Sequence, residues 1–354
     1  MLAGRHAVVL LAALATATRG RAQPTDPVPS DVTFSLRRAF LDSLATSGPN
    51  DRTVGARWTV TLAMGEHSGV HPLDQDCELH VAARPLGHGV LANPAGIVVE
   101  PPNVCKRRVP QIAQTGPIAA AWIDYFNQHV THKQCDVTGF PRIFSEHSSG
   151  GTTGGSNPDH VLELHPAIGL TCGAQHVDLL PLIHAFPGMR HISDASAVAC
   201  LEERKLFVRQ RGSTSAVRYE FLEEGAKTDA GRCGNFVIVD AHIGKEYLRA
   251  LTNGGDHVAL ARVWVGESGP YPLKIYTYAG TPEDDRVAAL MANDDDGASI
   301  ELRLHGLFTY DYFTILQAVQ DEQFAWLPGS ALKDYREISH PLALIVFGRG
   351  APPQ

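Results

Sequence analysis

The sequence predicts a mainly β protein with a few helices, built as a five-stranded barrel followed by a second β-rich unit. Three observations carry this. Short runs alternate apolar and polar residues at period two, one run of helical period interrupts them after the third, and cysteines stand at the outer ends of two pairs of runs. With 44% hydrophobic and 19% charged residues the 354-residue chain has an ordinary globular composition, and its length makes two domains the default.

Residues 1–22 read as a signal peptide. Arg5 and His6 make a basic start, an apolar run of about 11 residues follows from Ala7 to Ala17, and Gly20 and Ala22 flank Arg21 ahead of a polar segment. That run is too short to span a membrane, and no later stretch approaches the roughly 20 apolar residues a transmembrane segment needs. The expected location is therefore periplasmic or secreted. Residues 23–55 form a loose leader and then a helix from Ser35 to Ser47, on the spacing of Phe34, Leu36, Phe40, Leu41 and Leu44.

Residues 56–175 form the first unit. Trp58, Val60, Leu62 and Met64 alternate with smaller or polar residues in a first strand. In Cys77 to Arg84, Leu79 and Val81 take one face and Glu78 and His80 the other. Gly96 to Glu100 is a third strand, stopped by Pro101 and Pro102. Pro117 opens a helix with Ile118, Trp122, Tyr125, Phe126 and His129 on one side, and Cys135 to Phe144 and His160 to Ile168 supply two more strands. Three strands, a helix and two strands in this order is the arrangement of the OB fold, so the first unit is expected to be an OB-like barrel.

The six cysteines of an exported chain read first as three disulfides, and no C-x-x-C or Cys/His spacing points to structural zinc. If strands two and three are a hairpin, Cys77 lies opposite Cys105, and if strands four and five are another, Cys135 lies opposite Cys172. Cys200 and Cys233 are left as the third pair. Cys105 with Cys135, bracketing the helix, is the competing pairing.

Several of these residues form a pattern: Glu78 and His80, Glu100 ahead of Cys105, Val137 to Gly139, His147, Asn157, and Glu163 to Pro166. In this pattern residues 56–172 resemble an uncharacterised bacterial exported domain that runs D-x-H, E-I-P with a following Cys, V-T-G, H-G and N-x-x-E-L-H-P. The chain departs from it by Glu78 in place of Asp, Ser148 after His147, and a wider gap from Asn157 to Glu163. The resemblance implies no activity.

Residues 176–354 repeat the alternation. Lys205 to Gln210, Val217 to Glu223 and Asn235 to Ile243 read as strands, Gly244 to Asn253 as a short helix, and His257 to Val265 and Leu273 to Tyr278 as strands, which makes a second OB-like unit one reading. Pro282 to Ala292 reads as helix, Ile300 to Tyr312 as extended, Leu342 to Phe347 as a last strand, and the tail from Gly348 as disordered.

Chemistry is expected where polar alternates share a face. With Leu79, Val81, Leu162 and Leu164 inward, Glu78, His80, Glu163 and His165 point to the outer surface, with Glu100 close by. These five form a ligand face or hold a divalent metal such as zinc or manganese, and Asp76, His147, Asp159 and His160 lie on loops able to reach the same end. Alternating polar residues are also what any solvated sheet shows. The glycine-rich run from Ser148 to Ser156 lacks a phosphate-loop ending, and neither G-x-S-x-G nor H-E-x-x-H occurs. Asn293 to Gly297 with Glu301 has the acid density for calcium without EF-hand spacing. A formal charge of -8, which becomes -11 without Arg5, Arg19 and Arg21, disfavours nucleic acid as a partner. The function read from the sequence is an exported binding protein using an OB-like face for an oligosaccharide, oligonucleotide or protein ligand. The alternatives are a metal-dependent hydrolase using the Glu/His set and a structural envelope component.

Overall fold

A computed structural model describes residues 32–37, 57–70, 77–86, 96–143, 155–156, 160, 162–211, 218–224, 233, 235–251, 256–320, 336–338 and 340–350. The chain is mostly β and contains two closed five-stranded barrels. The signal peptide and residues 38–47 of the expected N-terminal helix lie outside the described residues. Val32–Arg37 is strand β1, not the start of a helix. Its alternation fits period two as well as a helix, and pairing with a later strand decides between them.

The first barrel comprises β2 (Trp58–His67), β3 (Val81–Pro85), β4 (Ile97–Val99), β5 (Gln134–Ile143) and β6 (Leu162–Cys172). Strand β2 pairs antiparallel with β3 and β5, β3 with β4, and β5 with β6, and a parallel β4–β6 pairing closes the barrel. Helix α1 (Ile118–His129) stands between the third and fourth strands and buries Ala121, Trp122, Tyr125 and Phe126. These four repeat at helical spacing, and the Trp122 indole also donates to Arg107 O at 2.9 Å. Gly139 sits at a shift in the β5–β6 register, where a Cβ would come within 3.0 Å of Pro166 O, so a larger residue would push the strands apart. Strand β7 (Gln175–Asp178) adds to β6.

The second barrel has the same connectivity. It comprises β10 (Phe236–Gly244), β12 (His257–Val265), β13 (Ser268–Thr277), β14 (Ser299–Tyr310) and β16 (Leu342–Arg349). Strand β10 pairs antiparallel with β12 and β14, β12 with β13, β14 with β16, and β13 runs parallel to β16. Helix α4 (Pro282–Met291), capped by the Thr281 side chain, again follows the third strand. Both units therefore follow the strand order of the OB fold.

The strands assigned to this second unit from sequence are partly wrong. Strands β8 (Lys205–Arg211) and β9 (Arg218–Glu224) belong to a separate antiparallel sheet, ordered β1, β9, β8, β15, with β15 spanning Arg336–Ile338. The expected helix from Gly244 to Asn253 is instead a 3-10 turn at Lys245–Tyr247 followed by the short strand β11 (Leu248–Ala250) on β12. Of those six residues only Leu248 is buried, so there is no apolar stripe to hold a helix. The last strand runs two residues further than expected, since β16 ends at Arg349 and pairs it with Leu304.

The three disulfides join Cys77 to Cys105 and Cys135 to Cys172, the pairs expected from the two hairpins, and Cys200 to Cys233, the pair left over. The third ties Cys200 of α3 (Asp194–Glu203) to Cys233, three residues ahead of β10.

The barrels pack against each other. Phe140 and Ile168 of the first share an apolar cluster with Phe236, Tyr278, Leu307, Ile345 and Phe347 of the second. Burying each such side chain contributes roughly 1.5–3 kcal/mol. At the rim Arg57 pairs with Asp256 at 3.3 Å. The connecting segment, with the short helix α2 (Leu180–Ile183), holds both sides: Asn103 Nδ2 donates to Leu182 O at 2.9 Å, and His305 of β14 meets Ile183 O through Nε2 and His191 Nε2 through Nδ1, each at 2.9 Å.

His305 makes this joint sensitive to acid. It is fully buried and stacked on Phe236, and burial, with His191 and His184 opposing a second positive charge, pushes its pKa down to about 3. A histidine depressed in the folded state stabilises above its unfolded pKa near 6.5 and loses that contribution as pH falls toward 3, at up to about 1.4 kcal/mol per pH unit. Urea unfolding at pH 7 and pH 5 is expected to show up to about 2 kcal/mol of lost stability. A His305→Gln variant should be less stable at pH 7 and flatter between the two pH values. Equal slopes would assign the acid loss to other groups.

Candidate functional site

The polar residues singled out in the first barrel converge at one end of it. Glu78 and His80 precede β3, Glu100 follows β4, His160 precedes β6, and Glu163 and His165 lie on β6. Register brings them together, because Val98 faces Glu163 across the parallel β4–β6 pair and Arg142 faces Glu163 across β5–β6. Asp76, His147 and Asp159 lie outside the described residues.

Arg142 is the hub. Its Nε and Nη2 donate to Glu163 Oε2 at 2.8 and 2.6 Å, and Nη2 reaches Glu100 Oε2 at 3.1 Å. His160 Nε2 donates to Glu163 Oε1 and His80 Nε2 to Glu78 Oε1, both at 2.9 Å, and His165 Nδ1 donates to Glu100 Oε2 at 2.8 Å. Two wider contacts close the ring: His165 Nδ1 is 3.6 Å from Glu78 Oε2, and His80 Nε2 is 3.3 Å from Glu100 Oε1.

The expectation that these residues lie on an open outer surface is corrected. They leave the barrel core as alternation requires, yet Glu163 is 0% exposed, Glu100 2%, and His80, His160, His165 and Arg142 are all buried. Glu78 is half-buried. The second barrel covers this side of β5 and β6 through the cluster around Phe140 and Phe347.

Burial sets the electrostatics. It works to lower the Arg142 pKa, but Glu163, Glu100 and Glu78 outweigh it and hold the guanidinium charged. For Glu163 burial works upward, while Arg142, His160 and His165 outweigh it and hold the carboxyl below its usual range. Tyr312, which opens α5 (Tyr312–Gln320), packs its ring 6.2 Å from Trp58. Burial, with Glu163 adding, raises its hydroxyl well above the ordinary tyrosine value.

Sequence reasoning missed Arg142, although its register opposite Glu163 makes it the counter-charge of the set. It also missed an open groove on the second barrel, lined by Tyr247, Arg249, Val258, Leu260, Lys274 and Tyr276. The groove crosses the outer face of β12 and β13, the second and third strands of that barrel, where Val258 faces Tyr276 and Leu260 faces Lys274. Tyr247 is 55% exposed and Leu260 46%. Asp311, buried beneath, accepts from Tyr276 Oη at 2.8 Å and from Lys274 Nζ, and Thr314 holds the same ammonium at 2.8 Å. The outward alternates of β12, Val258, Leu260, Arg262 and Trp264, were the available signal. The equivalent face of the first barrel is short, and its central Val98 is fully buried. The acidic run at Asn293 to Gly297 is a turn in which Asp295 accepts from Gly297 N, and Lys245 pairs with Asp296 at 3.1 Å.

No family model, curated protein or solved structure matches this chain.

Proposed function

We propose that the protein is an exported binding protein that carries an extended anionic ligand across the outer face of its second OB-like barrel. The observation that carries this reading is the groove. An exposed ring and an exposed leucine offer apolar contact, Arg249 offers positive charge, and the buried Asp311 pairs with Lys274 and fixes it and Tyr276 in place as hydrogen-bond donors. Strands two and three of an OB barrel are its usual ligand face, and preset side chains lower the entropy lost on binding. Three disulfides and the sequence of residues 1–22 support export to an oxidising compartment. The groove is small and carries few cations, which suits a short oligosaccharide with spaced carboxylates better than the dense phosphates of a nucleic acid.

Convergence of the Glu/His set favours a second reading, a metal-dependent hydrolase. Its enclosure counts against that, because substrate must reach the reacting groups and Glu163, His160 and His165 are closed off.

Calorimetric titration with a hexameric uronic acid, beside a neutral hexasaccharide, an acidic peptide and an oligonucleotide, tests the proposal. The uronic acid is expected to bind, and Leu260→Asp and Arg249→Glu each to weaken it at least tenfold with unchanged melting temperature. Binding that survives both substitutions would move the ligand away from this groove.

A further inference from the structure

We infer that the enclosed cluster of the first barrel is a divalent metal site, with Glu78, Glu100 and His165 as ligands and zinc or manganese as the ion. Among the described residues these three form the one group whose ligand atoms all lie within 4.8 Å of one another. The spacing suits coordination. Donors bound roughly 2.0–2.2 Å from one ion at tetrahedral or octahedral angles stand about 3–3.6 Å apart, and His165 Nδ1 lies 2.8 Å from Glu100 and 3.6 Å from Glu78.

Charge points the same way. Three carboxylates, Glu78, Glu100 and Glu163, face Arg142 as the one fixed cation among the cluster residues, so carboxylates outnumber guanidinium in one enclosed space. Buried carboxylates are costly without a cation, and a divalent ion supplies positive charge where they crowd together. One nitrogen and two carboxylate donors, with no thiolate, suit zinc or manganese.

The residues around the three act as supports. His80 holds Glu78 and approaches Glu100, while Arg142 fixes Glu100 against Glu163 and His160 fixes Glu163 from the far side. Such partners orient ligands and tune affinity. Because the cluster is enclosed and separate from the second-barrel groove, the ion stabilises the first barrel and takes no part in ligand binding.

The test uses the full mature chain with disulfides intact, stripped with EDTA and titrated with zinc chloride or manganese chloride alone. One ion per chain is expected, with a higher melting temperature. Glu100→Gln and His165→Gln should abolish it. Because Glu100 and His165 are buried and their replacement disturbs the fold, the partly exposed Glu78→Gln is the decisive variant, expected to keep its apo melting curve and to bind at least a hundredfold more weakly. Absence of stoichiometric binding in the wild type overturns the assignment, as does full-strength binding in folded Glu78→Gln. Failure of the ion to bind would leave the groove proposal untouched.

Discussion

Replacing Arg142 by Met is expected to destabilise the protein by about 3–5 kcal/mol, the cost of leaving a buried carboxylate without its cation. That is a large part of the roughly 5–15 kcal/mol that holds a typical domain together. The guanidinium makes two contacts to Glu163 Oε2 and one to Glu100, and both carboxylates are buried. Arg142→Lys keeps the charge but loses the fork, so it should fall between the two. The pH dependence checks the cause. In the wild type Glu163 is held below its usual range, so its contribution is present above the unfolded value near 4.5 and fades as pH falls through the folded one. In Arg142→Met burial is opposed only by His160 and His165, so the folded pKa rises and acid costs the variant less stability than it costs the wild type. The gap between wild type and variant in urea midpoints is therefore expected to narrow from pH 7 to pH 4, and a gap that widens would contradict the role given to Arg142.

Removing the Cys135–Cys172 disulfide by double substitution to Ala is expected to cost about 3–4 kcal/mol, from the entropy of closing a 37-residue loop. The bond joins the start of β5 to the end of β6, two strands already held by their own ladder from Asp136 to Ile143. Its effect therefore lies mainly in the unfolded chain. Guanidinium denaturation should show a lower midpoint, while amide exchange in β5 and β6 under native conditions keeps the same pattern. A midpoint equal to wild type would mean that the unfolded chain is already compact around this hairpin.

Much of the first barrel was legible in the sequence because its strands carry apolar residues on one face, and because Pro117 and the spacing of Trp122, Tyr125 and Phe126 mark one helix unambiguously. Two of the disulfides followed from the hairpins, and Cys200–Cys233 was the pair left over. Enclosure was not legible. The alternation of Leu162, Glu163, Leu164 and His165 is the same whether the outer face meets water or another unit, and the groups packed on this side of the barrel, Tyr312 near Glu163 and Phe347 against Phe140, come from far along the chain. Arg142, between Pro141 and Ile143, belongs to no periodic signal, and only the β5–β6 register reveals it. In the second half, β8 and β9 alternate as well as any barrel strand. Pairing with β1 and β15 sets them in another sheet, a non-local choice that local pattern does not encode.

The same non-local packing divides the molecule into an enclosed charged centre in one barrel and an open groove on the other. Hydrogen exchange of the full chain with and without saturating hexameric uronic acid tests that division most directly. Ligand-dependent protection is predicted for residues 247–251 and 258–276, around Tyr247, Leu260 and Lys274. Protection concentrated instead at 77–81 and 162–166, around Glu78 and Glu163, would place the ligand at the charged cluster and contradict the account.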